Sequence, residues 1–157
     1  MSSTRLIRTA NAIELPAPGR WPLGVAPTVT IGGTGRADGH HAGELSGTLV
    51  VGDDLLDVRI EMSMLAPGGA PIELDVTLVD SDAAGRWILS GEVTVAGRTV
   101  PVTVEARYHG VFRRGSRAWT ELSFGTSVTR ATRRRRRLTL DADVIFDAPC
   151  EITCRAA

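Results

Sequence analysis

The sequence predicts an all-β protein whose strands run antiparallel and close into a barrel. Three observations carry that expectation. Apolar residues fall at every second position through several short stretches, most plainly in GEVTVAGRTVPVTVEARYHG from Gly91 to Gly110. Alternation of this kind marks a strand with one buried and one solvated face. Seventeen glycines and eight prolines punctuate those stretches, which suits tight turns between strands better than long helices. No stretch shows the apolar spacing of an amphipathic helix. Consecutive strands that share an apolar face form a barrel or a sandwich. The barrel is preferred because a meander of short connections closes easily and leaves no exposed edge.

Residues 1–19 read as a polar leader ending in Pro16 and Pro18, ragged or lying along an edge. Trp21 to Ile31 is the first strand, and Pro22 and Pro27 assign it to an edge. Gly32 to Gly43 (GGTGRADGHHAG) reads as a loop without packing residues. Glu44–Val51 is the next strand, followed by a Gly-Asp-Asp turn. Leu56–Leu65 places Leu56, Val58, Ile60, Met62 and Met64 on one face. APGGAP leads into Ile72–Val79, with Ile72, Leu74, Val76 and Leu78 together, and DSDAAG turns the chain again.

Arg86–Val95 and Thr99–Tyr108 are the arms of a hairpin that turns at Ala96–Arg98. The first arm turns Trp87, Leu89, Val93 and Val95 inward, and the second Val100, Val102, Val104 and Ala106. Pro101 falls on the polar face and has no N–H for the ladder, which points to an edge or a bulge. Ser116–Thr129 puts Ala118, Thr120, Leu122 and Phe124 on one side. Leu138–Phe146 ends the pattern with Leu138, Leu140, Ala142, Val144 and Phe146.

The chain has 157 residues, the size of one domain with room for a sizeable core. The barrel is expected over residues 20–149, after the leader 1–19 and before a tail at 150–157. Hydrophobic residues make up 43% of the chain and aromatic residues only 4%, so the core rests on Val, Leu and Ile. Acidic and basic residues balance at 18 each. Nothing global then draws the protein to nucleic acid, which is not an expected partner. Every basic residue is Arg, read as codon bias in a GC-rich bacterial genome. No apolar run is long enough for a signal-peptide core or a transmembrane span, so a cytoplasmic protein is expected. Two cysteines are fewer than a disulfide-stapled secreted domain of this kind would use.

The run WILSGEVTVAGRTVPV from Trp87 to Val102 resembles the signature hairpin of YceI-like proteins. Gly91, Thr94, Gly97, Thr99, Pro101 and Val102 fall at the matching positions without a gap. WPLGVAPTVTI from Trp21 is similar to the opening strand of that family, and TSVTR from Thr126 to its late Asn-Arg segment. The resemblance spans roughly Arg20 to Pro149. It implies a lipocalin-like antiparallel β-barrel that binds a polyisoprenoid or other long-chain, isoprenoid or fatty-acyl lipid inside. The chain departs from the pattern at Pro27-Thr28, where the family has His-Ser, and at Gly24, where it has Asp. The segment Arg-Asp-x-His-Leu with its following Asp-Phe-Phe-Asp has no counterpart: LDVRIEMSML runs through APGGAP straight into IELDVTLV.

The expected function is therefore non-enzymatic binding, with no cofactor. The candidate lining is the inward set Val58, Ile60, Met62, Met64, Leu74, Val76, Trp87, Leu89, Val102, Leu122 and Phe124; plain core packing gives the same stripe. Met62 and Met64 suit a pliable wall. The alternative is a barrel without a cavity that acts as a structural or protein-interaction module, a homodimer included. Its contact with an anionic surface would be Arg133, Arg134, Arg135, Arg136 and Arg137, read as a hairpin loop.

Other chemistry is thin. His40 and His41 stand in a Gly-rich loop without a third ligand, and no metal site is expected. His109 stands at a strand end. Cys150 and Cys154 are spaced C-x3-C, read as ordinary thiols. Asp53, Asp54 and Asp57 crowd one turn but lack the ligand spacing of a calcium loop. No nucleophile-and-base pattern and no phosphate-cradling loop appears.

Overall fold

Among the described residues of the computed structural model, alternation and turn chemistry produce ten strands in one sheet. The structure describes residues 13–24, 28–33, 40–54, 57–66, 68–130 and 136–149, with the backbone alone at 33, 40, 127–130 and 136–138. The strands are β1 (Gly19–Pro22), β2 (Thr28–Gly33), β3 (His40–His41), β4 (Gly43–Val51), β5 (Val58–Leu65), β6 (Pro71–Ser81), β7 (Arg86–Val95), β8 (Arg98–Arg114), β9 (Arg117–Arg130) and β10 (Arg136–Asp147). Their order is β1-β4-β5-β6-β7-β8-β9-β10-β2-β3, and every pairing is antiparallel. From β4 to β10 each strand pairs with the next in sequence, a plain meander. Among the described residues there is no helix, so none is long and apolar enough to cross a membrane.

The hairpin read from the sequence is β7 with β8, in register from Val95 opposite Arg98 to Arg86 opposite Arg107. Its turn is one residue shorter than Ala96–Arg98, because Arg98 already faces Val95. Ala96 and Gly97 make the turn alone, at φ values of 50° and 81°. Positive φ at both central residues is the geometry whose twist suits a two-residue hairpin.

Pro101 stays in register opposite Glu92. The β8–β9 ladder begins only at Glu105 opposite Gly125, so β8 is laddered to β7 alone around Pro101. A residue with no N–H is tolerated in such a one-sided stretch.

The two ends of the strand order also approach each other. β1 pairs with β4, and Leu23, just after it, bridges Phe146 of β10. The Gly24 N–H donates to the Ile145 carbonyl at 2.6 Å, and the Leu23 N–H to the Gly47 carbonyl at 3.0 Å. β2 pairs with β10 on one side and with β3 on the other.

Inward residues recur with period two. In one rung Trp87, Ala106, Phe124, Ala142 and Val29 lie side by side on five neighbouring strands. Large and small alternate, which lets the rings fill the space above each alanine. A second rung is Leu49, Ile60, Val76, Gly91 and Val102. At Gly91 a Cβ would run into the Asp75 carbonyl, so a glycine is needed where β6 and β7 approach this closely. Among the described residues no helix covers the apolar face, and its side chains pack together in one core.

Several expectations are corrected. The segment Gly32–Gly43 is not all loop: Gly32 and Gly33 end β2, and His40–His41 form β3 opposite Ile31 and Thr30. Two residues hold as a strand there because the neighbouring β2 offers a ladder. Arg136 and Arg137 are not in a loop; they begin β10, opposite Arg130 and Thr129. Leu56 and Arg133–Arg135 lie outside the described residues, as do Cys150, Cys154 and residues 1–12. Residues 13–18 are not ragged: Pro16 is buried, and the contacts of this segment are set out below.

Candidate functional site

The eleven expected lining residues, Val58 to Phe124, all fall in one apolar core. None exposes more than 7% of its surface. Leu89, Ile72, Val93 and Phe146 expose none. The interior is thus filled by side chains packed against one another, as in an ordinary core.

One end of this interior is aromatic. Trp21, Trp87, Tyr108 and Phe146 are buried there, and the Trp87 and Tyr108 rings stack with centroids 4.4 Å apart and 7° between planes. The geometry has a local cause. β7 begins at Arg86 opposite Arg107, whereas β8 runs on to Arg114, paired with β9 alone. The β8–β9 hairpin therefore overhangs its neighbour.

Residues 13–18 cross this overhang as a strap. Ile13 reaches the space beside Gly85 and Gly110. The Tyr108 hydroxyl donates to the Glu14 carbonyl at 2.6 Å. Arg113 donates from both terminal nitrogens to the Glu14 carboxylate, at 2.7 and 2.6 Å. The Trp21 indole N–H donates to the Ala17 carbonyl at 2.9 Å. A cavity of about 140 Å³ remains between strap and hairpin, lined by Leu15, Trp21, Val111 and Ala118 among others.

Burial pushes the Tyr108 hydroxyl up to about 12, with the Glu14 charge adding to the shift and Thr120 opposing it. Tyr108 is thus a neutral donor at any ordinary pH. The hydrogen bonds from Arg113 hold the Glu14 carboxyl below the usual glutamate range. Thr120, a buried polar side chain, gives its proton to the Gly110 carbonyl at 2.8 Å.

The outer face is polar and paired across strands. Arg59 bridges Asp75 and Glu61, Arg86 bridges Glu105, and Arg117 bridges Asp147. These exposed pairs contribute little to stability. A shallow groove of about 520 Å³ runs over Ser123 and Gly125, between Arg107 and Asp141.

A hydrogen-bonded row, His109, Ser123 and Asp143, lies on this outer face. Ser123 donates its only proton to Asp143 at 2.7 Å, so His109 Nε2 at 2.9 Å must be the donor to Ser123. A nucleophilic serine needs the reverse, with its proton given to the histidine. The row is a cross-strand ladder of side chains. Asp53, Asp54 and Asp57 are exposed, and among the described residues no group of three or more His, Cys, Asp or Glu could hold a metal.

The sequence matches no protein-family model, and no curated protein matches it either. Sequence reasoning missed Tyr108, Arg113 and Glu14. Tyr108 was within reach, since it extends the stripe Val102, Val104, Ala106 by one more step of two. Glu14 and Arg113 carried no signal, because their pairing depends on where the strap crosses.

Proposed function

We propose that the chain is a non-enzymatic binding module, a closed lipocalin-like barrel of the YceI kind that takes up a long-chain amphiphile. Closure is supported by the pairings on both sides of the first strands: β1 with β4, Leu23 with Phe146, and β2 with both β10 and β3. The observation that carries the binding reading is the aromatic end, where an apolar interior stops at a strapped mouth over a small cavity. Burial of apolar ligand surface there drives binding at about 25 cal/mol per Å². Because the lining side chains are packed, uptake requires the strap and neighbouring core residues to move. A cytoplasmic location belongs to the same reading.

The close packing of the interior favours a second reading: a filled barrel that serves as a structural or interaction module. Its contact would be the basic run Arg133–Arg137, of which Arg136 and Arg137 begin β10. Basic side chains near an anionic surface contribute about 1 kcal/mol each.

Lipid extraction of the purified protein followed by mass spectrometry separates the two. The first reading expects a long-chain lipid in stoichiometric amount, and saturable tryptophan fluorescence changes when delipidated protein is titrated with a long-chain isoprenoid. Protein that carries no lipid and gives no saturable change supports the second.

A further inference from the structure

We infer that the strap is a resident stand-in for the ligand: Glu14 occupies, in cis, the head-group position of an anionic amphiphile at Tyr108 and Arg113. The inference rests on the amphiphile-binding reading and names the head group and the residues that would recognise it. Ile13 and Glu14 together have the composition of such a ligand. Ile13 supplies an apolar body beside Gly85 and Gly110. The Glu14 carbonyl supplies an acceptor for Tyr108. The Glu14 carboxylate supplies a planar anion for the Arg113 fork, the two-pronged geometry that carboxylates and phosphates both satisfy.

Tyr108 stays protonated and Arg113 stays charged across ordinary pH, so both groups are fixed as donors to whatever replaces Glu14. The cavity beside them is lined by Leu15, Trp21, Val111 and Ala118, apolar walls for the first carbons of a tail. A long-chain carboxylate or an isoprenyl phosphate monoester presents this same pair of features, and each must displace the strap to bind. The strap then lowers the apparent affinity by the fraction of time it is seated: closed nine-tenths of the time, it weakens binding about tenfold.

The test uses the full chain and three probes: farnesyl phosphate, dodecanoate and farnesol. Glu14→Arg sets two like charges together and unseats the strap; Glu14→Gln carries the same test if that variant fails to fold. The double variant Glu14→Arg with Arg113→Glu restores an ion pair with its charges exchanged. Hydrogen exchange of the Tyr108 N–H, bonded to the Gly85 carbonyl beside Ile13, reports the strap, and tryptophan fluorescence reports binding.

The expected result is faster exchange in Glu14→Arg, with both anionic probes bound about tenfold more tightly than by the wild type and farnesol gaining less. The double variant should return exchange to the wild-type rate and lose the gain. Farnesyl phosphate against dodecanoate then tells which head group is preferred. If Glu14→Arg speeds exchange but leaves the affinity of a binding-competent wild type unchanged, the stand-in is refuted and the barrel reading stands. Unchanged exchange in Glu14→Arg refutes the anchoring role of the pair. No binding of any probe by any form, with no lipid in the purified protein, overturns the barrel reading and this inference with it.

Discussion

The two ends of the sheet are built from different material. At one end Trp21, Trp87, Tyr108 and Phe146 are buried, and the strap is tied to them through Tyr108, Arg113 and Trp21. Positive-φ glycines turn the chain at both ends, Gly85 and Gly115 at this one, Gly68–Gly69 and Gly97 at the other. The inward residues beside the latter turns are aliphatic, Ile72 and Val95. One end is closed by side-chain chemistry that a ligand could replace. The other is where the Gly68–Gly69 and Ala96–Gly97 turns lie.

The largest expected effect breaks both ends together. Val102→Asp puts a carboxylate without a partner on the inward face of β8, opposite Gly91 of β7, and should destabilise by about 4 kcal/mol or more. Chemical denaturation measures this, and an unchanged midpoint would mean that Val102 does not face the interior. Gly91→Ala tests the close approach of β6 and β7 on which both ends depend. Overpacking at such a site costs about 1–3 kcal/mol, read from the same curves.

Tyr108→Phe sharpens the contrast. It leaves the Glu14 carbonyl without its donor and should cost about 1 kcal/mol. Hydrogen exchange should rise at the position-108 and Gly85 amides beside the strap while Ala96, bonded to the Pro71 carbonyl, stays protected; an equal rise at both ends would erase the distinction. The strap is also the acid-sensitive end. Glu14 is lowered by Arg113, so its contribution is present above the usual glutamate range and is lost as pH falls through the lowered value. With the intrinsic pH dependence of exchange divided out, protection beneath the strap should fall with acid in the wild type and show no such step in Glu14→Gln. The smallest effect belongs to the turn end: Ala96→Asn suits the positive φ better and should stabilise by about 0.5 kcal/mol.

The meander was legible because each inward stripe is written in a few adjacent residues. Val58 to Met64, Ile72 to Leu78 and Val100 to Ala106 need no distant partner to declare their faces. What escaped depends on tertiary pairing. His40 and His41 look like loop because a two-residue strand has no periodicity, and only the presence of β2 alongside makes them a strand. Pro16 and Pro18 look like a ragged leader, yet the overhang of β8 and β9 gives that segment a surface to cross. The candidate lining was readable as an inward set, but periodicity says nothing of volume, so it could not tell a lined cavity from a filled core.

The register slip between Tyr108 and Gly110 has an optical consequence. It shifts the phase of β8 by one residue, so that Val111 meets Thr120 and Phe112 turns outward to stack on Trp119 at 6.0 Å. Trp119 therefore sits half-buried under the Arg117 guanidinium, 5.1 Å from its ring centroid, while Trp21 and Trp87 are sealed inside. The chain's three indoles report from three dielectric settings: the strap, the aromatic stack and the wet surface. A water-soluble quencher should reach Trp119 first and leave a blue-shifted emission from the sealed pair. The molecule thus carries its own calibrated gauge of whether that end is shut.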